Sequence, residues 1–307
     1  MASYTDNNHN GNAAYPDGPN GHNHDGTSRA EKMDHRRKSS KSLNQPFRMS
    51  PHRRSQPFSP FATHMIAGLA EFVGTFMFLF AAYAGNIMAV SQAAAVASGG
   101  TNSAETVLVI SLAYGISLLV TVWTFYRISG GLFNPAVSLA LALCGGIHWH
   151  RALVLFPTQL LASMAAGGLV KGLFPTPVTM AQTTLAPGVT IARGLFIEMF
   201  LTALFIFTIL MLAVEKSKDT FIAPLGIGLA LFAAEIPGVF YTGGSLNPAR
   251  SFGVAVAARS FPGYHWIYWV GPLLGALLAS AFYHLVKFLR YEDVNPGQDS
   301  SRDNSEA

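Results

Sequence analysis

The chain has 307 residues, half of them hydrophobic and only 12% charged, with a formal net charge of +4. Its charge gathers toward the two ends, and the many consecutive charge-poor helical lengths between them exclude a soluble helical core. The single cysteine, Cys144, excludes a disulfide within the chain and a cysteine-based metal site, which leaves packing as its expected role.

Residues 1–60 are polar and rich in Asn, Gly, Ser and Arg, a composition that predicts a disordered tail. No cleavable signal sequence opens it, so the first apolar span is expected to act as its own insertion signal. Arg36, Arg37, Lys38, Lys41, Arg48, Arg53 and Arg54 form a basic run without an acid between them. Near an anionic inner leaflet such charges contribute ~1 kcal/mol each; the plainer alternative is a solvated tail whose charge only sets topology. Ser39, after Arg36-Arg37-Lys38, fits a basophilic kinase site, and a phosphate there would oppose attraction to lipid. His9, His22 and His24 lie in the same tail without ligand spacing, so no metal is expected.

Six segments of spanning length follow: His64 to Val90, Glu105 to Tyr126, Ala152 to Gly172, Ile191 to Val214, Phe221 to Phe240 and Trp266 to Lys287. The basic tail, Lys216 and Lys218 after the fourth span, and Lys287 and Arg290 at the end all belong on the cytoplasmic side. Both termini are therefore expected there. The connection from Ser91 to Ser103 has neither Lys nor Arg, as suits the opposite face.

Two shorter apolar runs, Ala136 to Leu143 and Ala249 to Ala257, each follow one motif: Gly130-Gly131-Leu132-Phe133-Asn134-Pro135-Ala136 and Gly243-Gly244-Ser245-Leu246-Asn247-Pro248-Ala249. Asn caps a helix, and Pro suits the first helical position because its missing N–H would be unpaired anyway. Each motif therefore predicts a half-helix of roughly 15 Å, half of a ~30 Å hydrocarbon core.

The motifs recur 113 positions apart, and Glu71 with Thr75 in the first span recurs as Glu198 with Thr202 in the fourth. The chain reads as a duplication. Each half has an odd number of spans, so the second half is inverted and the half-helices enter from opposite faces to meet near the midplane. Their N-termini bring partial positive charge and free N–H groups together, to which Asn134 and Asn247 add amide donors. Cations are repelled from such a place, while a neutral hydrogen-bond acceptor passes without forming a continuous proton wire.

On these residues the sequence resembles the aquaporin, or major intrinsic protein, family, and most closely its fungal water-channel branch. The likeness spans about Phe61 to Arg290 and includes Ala70-Glu71-Phe72-Val73-Gly74-Thr75, both Asn-Pro-Ala boxes and Asn247-Pro248-Ala249-Arg250-Ser251-Phe252-Gly253. It implies an all-α membrane fold of six spanning helices and two re-entrant half-helices, with an inverted repeat (about 61–172 and 190–290) and a short cytoplasmic tail, 291–307. The resemblance further implies a pore in each subunit, homotetramers, and a plasma membrane or internal membrane location. Asn134, Pro135, Ala136, Asn247, Pro248 and Ala249 would form the central pore motif, and Tyr114, Glu235, Gly244 and Arg250 the narrow outer filter. Ser251 and the pair Tyr268-Trp269 stand where glycerol-conducting relatives usually differ, which favours water. Some fungal relatives are gated by their N-terminal segments, so a tail plug is a further expectation.

The chain departs from that family at Glu235, in the filter, and at Leu132. Glu235 stands where water channels usually carry His; a carboxylate inside a span must be paired or face a polar space, so it is expected to face the pore near Arg250 and tie up its donors. Alternatively Pro237 kinks the helix and turns Glu235 toward backbone groups. Gly244, without a side chain, is expected to leave room at the constriction. Leu132 replaces a His common in the family and removes a protonatable group. Glu71 and Glu198 are expected to hold the backbone of the half-helix loops, and Gly167, Gly168, Gly271 and Gly275 to permit close helix contact.

No phosphate-binding loop, Ser/His/Asp set or dinucleotide fingerprint is present, so neither an enzyme, a cofactor nor a nucleic-acid partner is expected. The leading reading is a passive water channel in a lipid bilayer that excludes ions and protons. The alternatives are a channel for another small neutral solute such as hydrogen peroxide, ammonia or glycerol, a coupled secondary transporter with Glu235 as its titrating group, and a mostly closed membrane sensor.

Overall fold

The computed structural model of the chain describes residues 58–96, 103–215 and 218–295. Ser39, the basic run from Arg36 to Arg54 and Lys216 lie outside the described residues. Among the described residues the regular structure is entirely helical: α1 (Pro60–Val96), α2 (Ala104–Phe125), α3 (Pro135–Leu143), α4 (Trp149–Leu173), α5 (Ile191–Ile209, running on through a π turn, Leu210–Val214), α6 (Ala223–Thr242), α7 (Pro248–Ala258) and α8 (Ile267–Phe288). Six of them, α1, α2, α4, α5, α6 and α8, are long and apolar enough to cross a membrane. The other two, α3 and α7, have 9 and 11 residues. At 1.5 Å per residue they reach roughly 14–17 Å, half of a ~30 Å hydrocarbon core.

The long helices are apolar on their outer faces, where Leu69, Leu153 and Phe200 are exposed, and carry polar groups inside, where Glu71, Thr75, Gln159, Glu198 and Thr202 are fully buried. A water-soluble bundle has the reverse arrangement. Lipid is the solvent that makes it stable, because acyl chains cover the apolar faces while Glu71, Gln159 and Glu198 find their hydrogen-bond partners within.

The packing obeys the duplication. α1 packs on α2 and α4, and their counterparts repeat this, with α5 on α6 and α8; α4 meets the second half-helix α7, as α8 meets the first, α3; and α2 packs on its own counterpart α6. Six spanning helices and two re-entrant half-helices therefore form an inverted repeat about a central axis. At the α2–α6 crossing two glycines 113 positions apart face each other. A Cβ on Gly115 would lie 2.9 Å from Gly228 O, and one on Gly228 would lie 2.8 Å from Gly115 O. Small residues are what let helix backbones approach this closely in a membrane. Gly271 and Gly275 play the same part against α5, and Gly167 against Gly253 of α7, whereas Gly168 faces open space and makes no such contact.

Candidate functional site

The two half-helices begin where each Asn folds its side chain back onto its own helix. Asn134 Oδ1 accepts from Ala136 N at 2.8 Å, and Asn247 Oδ1 accepts from Ala249 N at 2.9 Å and Arg250 N at 3.3 Å, with Pro135 and Pro248 at the first helical positions. The amide ends cross over. Asn134 Nδ2 donates to Leu246 O at 2.8 Å, and Asn247 Nδ2 donates to Phe133 O at 2.9 Å. Each box is thus bonded to the residue that precedes the other Asn, which fixes the two N-termini face to face. An amide NH2 has two hydrogens, so each Asn keeps one for another acceptor.

Phe133 and Leu246 both adopt φ of 51°, a left-handed conformation that side chains disfavour. Buried carboxylates hold them there. Glu71 accepts from Leu132 N and Phe133 N, both at 2.9 Å, and also from Ser129 Oγ at 2.7 Å and Gln159 Nε2 at 2.9 Å. On the repeat-related side, Glu198 accepts from Ser245 N at 3.0 Å, Leu246 N at 2.8 Å and Thr242 Oγ1 at 2.6 Å.

A narrow cavity of about 10 Å³ runs past this junction, close to the smallest space that holds one water. Its apolar wall is Phe78, Leu118, Leu132, Phe205 and Leu231. Its polar wall is Tyr114, Asn134, Glu235, Ser245, Asn247 and Arg250. The walls follow the repeat: Leu118 with Leu231, Leu132 with Ser245 and Asn134 with Asn247 are each 113 positions apart, and Phe78 with Phe205 keep the Glu71–Glu198 offset. Only Tyr114, Glu235 and Arg250 break that symmetry within the lining. Phe78, Leu118, Phe205 and Leu231 lie outside both motifs and escape a motif-by-motif reading, although each pair keeps the repeat offset of its part of the chain.

Arg250 is 1% exposed and holds its charge without a carboxylate. Its Nη1 donates to Ala181 O at 2.7 Å and its Nη2 to Gly243 O at 3.1 Å, while the guanidinium lies 4.7 Å from the centre of the Tyr114 ring. Nε has no partner. The expected pairing with Glu235 is not made: no ion pair or hydrogen bond joins the two among the described residues. The carbonyls of Ala181 and Gly243 take the terminal nitrogens instead. Nor does Pro237 turn Glu235 onto the backbone, since both of its carboxyl oxygens are buried without a hydrogen-bond partner. Gly244 leaves no room either. A Cβ on it would overlap Glu235 Oε2 and lie 2.9 Å from Glu235 Cδ, so the carboxyl already occupies that space.

The sequence matches the major intrinsic protein family over residues 61–283. The chain belongs to that family. Among its relatives, the "Probable aquaporin-3" of Gibberella zeae is 57% identical over 286 residues, covering 93% of this chain and 98% of that one. "Aquaporin-7" of Botryotinia fuckeliana is 53% identical over 242 residues, covering 78% of this chain and 53% of that protein, so the chain aligns to about half of that relative's length. The X-ray structure of the aquaglyceroporin from Plasmodium falciparum superposes with a TM-score of 0.62 at 21% identity, over 76% of this chain and 100% of that one, a likeness of fold. Major intrinsic proteins are channels, not enzymes, and this chain is an integral multi-pass membrane channel for water or small solutes.

Proposed function

We propose that the chain is a passive water channel that excludes ions and protons, with Tyr114, Glu235, Gly244 and Arg250 as its filter and the Asn134 and Asn247 boxes as its centre. The observation that carries this reading is the crossed pair of Asn amides beside a cavity with room for about one water. Two half-helix N-termini, two amide donors and the buried Arg250 all present positive potential to the same path. A cation entering there loses hydration and meets repulsion, whereas a water accepts hydrogen bonds and slides along an otherwise apolar wall. Phe78, Leu118, Leu132, Phe205 and Leu231 offer it no binding, so it is not held long.

The same reading makes the working unit a homotetramer, each subunit with its own pore. It places residues 1–60 and 291–307 as cytoplasmic tails, the first against anionic lipid, in the plasma membrane. Osmotic shrinkage of proteoliposomes containing the full chain tests the solute. Water efflux well above that of empty liposomes supports a water channel; efflux no faster overturns it. Accumulation of any neutral solute against its gradient would instead identify a coupled transporter.

A further inference from the structure

An α-helix ends in carbonyls that its own backbone cannot satisfy and in a partial negative charge. The turns after the half-helices fill some of these carbonyls: Cys144 N and Gly146 N donate to Ala140 O and Leu141 O at the end of α3, and Arg259 N and Ser260 N to Val256 O and Ala255 O at the end of α7. Among the described residues no backbone N–H reaches Leu143 O or Ala257 O. Each is met instead by a side chain of the long helix packed alongside. Lys171 Nζ, in the last turn of α4, donates to Ala257 O at 2.8 Å, and His284 Nε2, near the end of α8, lies 3.2 Å from Leu143 O. A carbonyl only accepts, so the imidazole donates from Nε2. These two donors stand 113 positions apart, the offset of the Asn boxes. The repeat therefore lends one nitrogen donor to the far end of each half-helix. Neither half-helix has a basic residue in its own last turn, although Arg259 follows α7 as its C-cap.

We propose that Lys171 and His284 are positioning residues of the channel, which tie the outer end of each half-helix to its neighbour and so keep the two Asn boxes face to face. At their inner ends the half-helices meet through crossed bonds of 2.8 and 2.9 Å. Such bonds weaken when stretched by a few tenths of an ångström. A helix of 9 or 11 residues that tilted about its outer end would swing its Asn amide away from the opposite carbonyl, and a donor fixed to the neighbouring helix removes that freedom. Lys171 also brings a positive charge to the negative pole of α7, where a cation is favoured. Glu71 and Glu198 cannot replace these ties, because they hold the loops ahead of the boxes and not the far ends. This inference rests on the reading of the half-helix junction as the conducting path.

The test is osmotic shrinkage of proteoliposomes carrying equal amounts of the full chain, unaltered or as Lys171→Met, His284→Leu, Lys171→Arg and His284→Lys. Both side chains are exposed, so neither truncation disturbs the buried core. Met and Leu remove the donor and keep most of the bulk, and water flux is expected to fall about threefold in each. Arg and Lys return a donor to the same place and are expected to restore it; His284→Lys gives the first half-helix the group that the repeat already supplies to the second. Flux unchanged in Lys171→Met or His284→Leu, or a loss that the Arg and Lys variants share, overturns the assignment. Unfolding temperature in detergent separates this outcome from a failure of the water-channel reading. If the unaltered chain carries no water, that reading fails and the temperature decides the assignment: it stands if Met and Leu lower it by roughly 2–4 °C while Arg and Lys hold it, and it is overturned if all five chains unfold together.

Discussion

Three carboxyls are buried along the inner faces of α1, α5 and α6, and their surroundings decide what each does. Glu71 accepts four hydrogen bonds, Glu198 three, and Glu235 none. Buried donors left without their acceptor each cost about 1–3 kcal/mol. Replacing Glu71 by Ala strands Leu132 N, Phe133 N and Ser129 Oγ, removes one of the two acceptors of Gln159 Nε2 and releases the left-handed turn at Phe133. A loss of roughly 3–5 kcal/mol is expected, to be read as a lowered unfolding temperature in detergent; an unchanged temperature would show that the loop holds itself. The anchoring role of Glu71 and Glu198 was legible because they repeat with Thr75 and Thr202 at one spacing. The setting of Glu235 was not. Whether it meets Arg250 depends on loop carbonyls of Ala181 and Gly243, which no local pattern announces.

At the scale of elements, caps and periodicity located all six spans and both half-helices, and the differences lie at the ends. α1 runs to 37 residues, beyond the His64–Val90 expected, because the Ala-rich stretch after Val90 continues the helix. That makes it roughly 55 Å long, more than a ~30 Å hydrocarbon core needs. The far end of α5 is fastened in a way the charge pattern alone did not reveal. Glu215, just past the π turn, accepts from the Tyr283 hydroxyl, from Lys287 Nζ at 3.2 Å and from Tyr291 Oη at 3.1 Å, joining α5 to α8. Burial pushes the Glu215 carboxyl up, but these donors outweigh it and hold the group below its ordinary value. A carboxyl with a depressed folded pKa contributes stability that is complete above the unfolded value, about 4.3, and is lost as pH falls through the folded one. Thermal unfolding in detergent should therefore show a loss of stability below about pH 4 that Glu215→Gln reduces. An acid profile identical in the variant would remove Glu215 from the account.

Over the whole molecule, the duplication explains more than any single motif. Helix pairs, the glycine crossing at Gly115 and Gly228, the two Glu anchors and most of the cavity wall are matched across it. Sequence repetition made that architecture readable in advance, since an odd number of spans per half forces inversion. What the repeat leaves unmatched is the asymmetric part of the lining, Tyr114, Glu235 and Arg250, which entered only through the family resemblance. The two halves converge on one arrangement, facing helix N-termini, to which the proposed function assigns the passage of a neutral acceptor and the exclusion of charge. The most direct test is to follow water efflux and internal pH together in liposomes bearing the full chain, under combined osmotic and proton gradients. Fast water movement with a proton leak equal to that of empty liposomes is the expected result, whereas a proton leak that grows with protein content would contradict it.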